Sequence, residues 1–199
     1  MKKLLILAVF AVCFQSYVTA QNKQISVEAI YEGEFKTEGL DALRSMKNGE
    51  QYTVLNVSAD GSTSVDKYNY ETQEKVGTIV SSADIGEIKE FTSYKFSADE
   101  SKLLLATQVE PIFRRSTLAV FYIYDIASKN VIKISNDKIQ EPAISPDGKK
   151  VAYVATNNLY LFDISSENTQ QITTDGMKNK IINGITDWVY EEEFGFVRA

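Results

Sequence analysis

The fold class that the sequence predicts is all-β, built from repeated antiparallel hairpins. Three observations predict it. A polar turn precedes an apolar run three times: Ser45 to Glu50 before residues 52–57, Ser97 to Ser101 before residues 102–107, and Ser145-Pro146-Asp147-Gly148-Lys149 before residues 151–155. A second apolar run follows each of these, at residues 65–70, 120–124 and 159–162, and ends in a similar triplet: Tyr70-Glu71-Thr72, Tyr124-Asp125-Ile126, Phe162-Asp163-Ile164. No segment holds a 3.6-residue apolar period for long, which argues against a helical solenoid.

Each turn has a mechanism. Asn, Asp and Gly reverse the chain by accepting local N–H bonds or tolerating positive φ, and the apolar runs beyond them read as strands. One more short strand follows each pair, at residues 76–80, 131–134 and 171–173. The repeats are 54 residues apart from Tyr70 to Tyr124 and 38 from Tyr124 to Phe162. That suits blades of a β-propeller, about 40–50 residues each, with insertions in their loops. A plain antiparallel sandwich is the rival architecture. About three blades fit, with a fourth beginning at Ile185, so the expectation is an incomplete propeller of three to four blades over residues 43–199. Such a portion cannot close a ring, and strand edges would stay unpaired. The chain is therefore expected to be the N-terminal part of a longer protein or a truncated gene product.

Two segments precede the repeats. Residues 1–20 read as a secretory leader: Lys2-Lys3, an apolar run from Leu4 to Phe14, then Val18-Thr19-Ala20 as a small-residue cleavage site. Export to the periplasm or the exterior is then expected, with an uncleaved membrane anchor as the rival reading. Residues 21–42 form a lead-in segment, in which Ile25 to Ile30 alternates in strand fashion before a turn at Tyr31 to Phe35.

Composition narrows the chemistry. The chain is 44% hydrophobic and 24% charged, the balance of a globular protein rather than a disordered one. A net charge of −6 argues against a nucleic-acid partner, which needs clustered Lys and Arg. Cys13 is the only cysteine and lies in the leader, so the mature chain is expected to hold no disulfide or thiol site. Histidine is absent, so a Ser-His-Asp triad cannot be assembled from these residues and the commonest zinc ligand is missing. No metal or cofactor is expected. Asp60-Gly61-Ser62-Thr63-Ser64-Val65-Asp66 superficially suggests a calcium loop but lacks its acidic spacing and closing glutamate, and reads as a hairpin loop.

One stretch stands apart: Asp187-Trp188-Val189-Tyr190-Glu191-Glu192-Glu193-Phe194. A Glu-Glu-Glu run is ordinarily a solvated surface. Here aromatic residues flank it on both sides. Three adjacent carboxylates in such a setting call for a compensating cation, and an ammonium group is the natural candidate. Trp188 is expected to pack in the core and position the glutamates, with a ligand-facing role as the alternative.

Asp-Trp-Val-Tyr-Glu-Glu-Glu, preceded by Ile182-Asn183-Gly184-Ile185-Thr186, resembles the double-glutamate motif of the dipeptidyl peptidase IV branch of the prolyl oligopeptidase family. The resemblance implies that Glu192 and Glu193 bind the free α-amino group of a peptide. It also implies a role for Glu110-Pro111-Ile112-Phe113-Arg114-Arg115-Ser116, inside an expected loop insertion at residues 108–119. This stretch is similar to the family loop whose arginine holds the substrate carbonyl, and Arg114 matches that arginine. The implied partners are a peptide with a free N-terminus, the second half of the propeller and a C-terminal α/β-hydrolase domain carrying the nucleophile. A homodimer is expected of the full-length form. The full enzyme would release N-terminal X-Pro or X-Ala dipeptides, whereas these residues alone hold no catalytic group. A non-catalytic peptide-binding or scaffold propeller is the alternative. Adjacent side chains point to opposite faces of a strand, so convergence of Glu192 and Glu193 requires a helical or irregular backbone.

Overall fold

A computed structural model describes residues 25–37, 39 and 42–199; the expected leader and Cys13 lie outside the described residues. The chain divides into two compact units, Met1–Leu40 and Asp41–Ala199.

In the first unit, residues expected to alternate as a strand instead form helix α1, Val27–Tyr31. Ser26 explains the difference. Its hydroxyl accepts the Ala29 N–H at 3.1 Å, which caps a helical turn that apolar alternation alone would not suggest. The expected turn follows, with Gly33 at φ 76°.

The second unit holds three four-stranded antiparallel sheets, each a simple up-and-down meander. The first comprises β1 Leu43–Ser45, β2 Gln51–Val57, β3 Thr63–Asn69 and β4 Lys75–Ser81. The second comprises β5 Ser93–Phe96, β6 Lys102–Pro111, β7 Thr117–Asp125 and β8 Val131–Lys133. The third comprises β9 Gln140–Ile144, β10 Lys150–Ala155, β11 Asn158–Asp163 and β12 Thr169–Gln171. Each sheet therefore gains a leading strand, β1, β5 or β9, before the turn at which the sequence pattern began.

The sheets pack face to face through two cores. Leu103, Leu105, Tyr122 and Tyr124 pack with Val65 and Val80 of the first sheet. Leu104 and Ile123, one residue out of phase, pack with Val151 and Phe162 of the third. Successive strand residues face opposite ways, so the unbroken run Leu103-Leu104-Leu105 marks a sheet buried on both sides. Truncating Leu103 or Leu105, both fully buried, would cost roughly 2–5 kcal/mol.

The repeated turns share one geometry. Ser97 Oγ donates to Asp99 at 2.6 Å and accepts the Lys102 N–H at 3.0 Å. Ser145 Oγ does the same with Asp147 at 2.6 Å and Lys150 at 2.9 Å. Asp60 accepts from Ser62 N–H and Oγ in the β2–β3 turn, as a hairpin loop requires. The closing triplets correspond differently from the sequence reading. Asp125 and Asp163 accept N–H bonds at the turns after β7 and β11, and Asn69 does so after β3. The equivalent of Tyr124-Asp125-Ile126 is therefore Tyr68-Asn69-Tyr70, not Tyr70-Glu71-Thr72; the side chain that caps the turn sets the alignment.

Two further expectations are corrected. Residues 108–119 are not a loop, because β6 and β7 run on as a hairpin, with a register shift between Thr107 and Glu110 and Gln108 at φ 51°. Only residues 112–116 form the tip, which the Ile112 N–H closes on the Ser116 carbonyl at 2.9 Å. No fourth blade begins at Ile185. After β12 the chain lies against the third sheet, where Gly176 N–H bonds Asn158 Oδ1 at 2.9 Å and Asn183 N–H bonds the Asn157 carbonyl at 3.1 Å. It then enters helix α2, Trp188–Phe194.

Candidate functional site

Helix α2 is the required non-strand backbone. Asp187 starts it by accepting the Tyr190 N–H at 3.0 Å. Gly195 ends it in the left-handed region at φ 74°, a conformation that a Cβ would strain. The Arg115 guanidinium packs against this glycine, with its carbon 3.7 Å from where a Cβ would sit.

Adjacent helical side chains are about 100° apart, so the three glutamates face three environments. Glu191 is 1% exposed. Its Oε1 accepts the Arg115 N–H at 2.7 Å and the Ser116 N–H at 2.8 Å. Glu192 is half-buried; its Oε1 accepts the Arg114 N–H at 3.3 Å and its Oε2 pairs with Arg114 Nε at 3.0 Å. Glu193 is exposed. Three consecutive N–H groups of the hairpin tip thus meet two consecutive carboxylates of the helix.

Burial pushes the Glu191 pKa up. The Ser116 side chain and N–H, the Arg115 N–H and the Arg115 charge outweigh it, holding the carboxyl below its usual range. The Ser116 hydroxyl is buried and makes no well-formed hydrogen bond of its own. Its polarity remains available to the neighbouring carboxylate.

The structure brings Arg114 and Glu192 together and sets Glu193 one residue further on, on the exposed side. Trp188 does not pack in the core: it is 53% exposed. With Tyr190, Phe194 and Phe196 it gives the helix an exposed aromatic surface, in which Tyr190 and Phe194 lie 5.7 Å apart and Phe194 and Phe196 stack at 6.4 Å. Glu191 and its contacts with Arg115 and Ser116 are absent from the sequence-based site. A helical wheel holds the missing signal, since it turns Glu191 about 200° from Glu193 and so denies them a shared environment. Among the described residues, no group of three or more His, Cys, Asp or Glu is placed to hold a metal ion.

The meandering four-stranded sheets, stacked face to face and carrying an acidic helix clasped by a hairpin of the second blade, define a β-propeller segment. Its family is shown by comparison. The model for the dipeptidyl peptidase IV (DPP IV) N-terminal region matches residues 97–199, which include both hairpin and helix, and the chain belongs to that family. Prolyl endopeptidase FAP of Homo sapiens is 37% identical over 149 residues, 73% of this chain and 19% of FAP. Dipeptidyl aminopeptidase B of Saccharomyces cerevisiae is 25% identical over 177 residues, 89% of this chain and 17% of its own length. The crystal structure of Porphyromonas gingivalis dipeptidyl peptidase 4 superimposes with a TM-score of 0.78 at 36% identity, covering 89% of this chain and 26% of that one. The chain thus spans a fifth or less of the length of the curated relatives it matches.

Proposed function

We propose that this chain is the substrate-anchoring part of an exported dipeptidyl peptidase, in which Glu192 and Glu193 hold the α-ammonium group of a peptide and Arg114 orients its first carbonyl. The Arg114–Glu192 pair carries the reading. Glu192, Glu193 and Arg114 together bear one net negative charge, the complement of a single ammonium group. A peptide amine has a pKa near 8 and is largely protonated at neutral pH. Each carboxylate contact at 4 Å offers about 4 kcal/mol at an effective dielectric of about 20, before desolvation is subtracted. Arg114 brings a planar donor set that a carbonyl can share.

Holding the N-terminus fixes a distance along the peptide. A nucleophile at constant separation then meets only the second peptide bond, so the product is a dipeptide, X-Pro or X-Ala by the family resemblance. That nucleophile belongs to an α/β-hydrolase domain, and the chain's lack of histidine agrees with a division of labour between anchoring and chemistry. The proposed organisation is a leader at 1–20, a lead-in segment at 21–42 and the propeller portion at 43–199. Among the described residues no helix is long and apolar enough to cross a membrane.

The test is calorimetric titration of the chain with a free-N-terminus tripeptide and with its N-acetyl form. Binding of the first and loss of binding with the second is the expected result. Equal binding of both forms removes the amine from the recognition and the reading with it.

A further inference from the structure

We infer that Glu191 is a positioning residue: its buried carboxylate fixes the register between hairpin tip and helix in which Arg114 meets Glu192. This rests on reading Glu192, Glu193 and Arg114 as the amine-binding group.

Burying a carboxylate is costly unless hydrogen bonds satisfy it. Glu191 Oε1 receives two, from the N–H groups of Arg115 and Ser116. Apart from the Ile112–Ser116 closure, the backbone hydrogen bonds of the tip go to the helix glutamates. Two N–H groups held on one oxygen fix the peptide planes on both sides of Arg115. The plane between Arg114 and Arg115 is one of them, so the direction in which Arg114 leaves the backbone is set as well. The Arg114 side chain is itself 72% exposed and cannot supply this order from its own surroundings. The Arg115 side chain, lying against Gly195, adds a second contact between the tip and the end of the helix.

What matters in this scheme is where the acceptor oxygen sits, more than the charge it carries. Both tip N–H groups use the same oxygen, so a glutamine amide oxygen can take its place. An aspartate keeps the charge but withdraws the oxygen by one methylene.

The experiment follows Arg114 Nε–H in the 15N-labelled full chain by hydrogen exchange, and titrates the same samples with Gly-Pro-Gly. Glu191→Gln should keep both Nε–H protection and tripeptide affinity within about twofold of the unsubstituted chain. Glu191→Asp should lose about tenfold in each, the scale of one hydrogen bond. Glu192→Gln serves as the direct control for the Nε–H signal. Wild-type behaviour of Glu191→Asp alongside impairment in Glu191→Gln would overturn the inference, because charge and not position would then govern. So would unchanged Nε–H protection in Glu191→Asp. If the unsubstituted chain does not bind the tripeptide, the amine reading fails by itself, and the exchange of Arg114 Nε–H still decides the role of Glu191.

Discussion

Arg114 and Glu192 hold each other twice, through the Arg114 N–H on one carboxylate oxygen at 3.3 Å and through the guanidinium on the other at 3.0 Å. Backbone and side chain of one residue thus grip both oxygens of the other, across 78 positions of sequence.

The two outer glutamates should separate in mutagenesis. Glu193 is exposed, so Glu193→Gln should leave stability within about 0.5 kcal/mol while weakening peptide binding. Glu192→Gln should weaken binding about tenfold and also loosen the hairpin tip, because the Arg114 pair is lost. Paired measurements of urea midpoint and peptide Kd check both.

Peptide affinity should depend on pH through the ligand. On the proposed reading the amine must be protonated to be held, so Kd should rise about tenfold per pH unit above roughly pH 8. Titrations between pH 7 and pH 10 test this. A quaternary N-trimethyl peptide, whose charge does not titrate, should show no such slope.

Acid should act on the first blade through Asp66. Burial pushes its pKa up, but Thr78 and Asn56, bonded at 2.7 Å and 2.8 Å, and the Lys75 ammonium at 2.9 Å hold it below the ordinary value. A lowered folded pKa means that this stabilisation is complete above the unfolded pKa, near 4, and is lost as the pH falls through the folded one. Asp66→Asn should cost roughly 1–3 kcal/mol at neutral pH and flatten the acid limb below about pH 4. Urea unfolding as a function of pH is the measurement.

Gly176 should tolerate no side chain. A Cβ there would fall onto the Asn157 carbonyl, which is backbone and cannot swing aside. Gly176→Ala should cost roughly 1–3 kcal/mol and lower the Tm. Gly86→Ala, with open space around it, is the matched control and should change little.

The blades were legible because their punctuation is chemical. Asn48, Asp99 and Asp147 announce their turns by the bonds they make, and the apolar runs between them alternate into two cores. The leading strands were not legible. Leu43–Ser45 is exposed throughout and becomes a strand only by pairing with β2, a tertiary event with no local pattern. Arg114, Glu192 and Glu193 were named through a motif, and the structure brings the first two of them into contact. Glu191 was hidden among identical neighbours: three glutamates in a row carry no sign of which one folds inward, and only the helix phase decides. Trp188 misled for the opposite reason, since a large aromatic suggests a core and here sits on the outer side of a short helix.

The clasp between hairpin and helix joins stretches 75 to 78 residues apart. Closing so long a loop is entropically unfavourable until the intervening sheets have already drawn its ends together. A chain still emerging during synthesis, or one opened at its third sheet, therefore lacks the clasp. On the proposed reading, recognition of a peptide would then be a readout of completed folding.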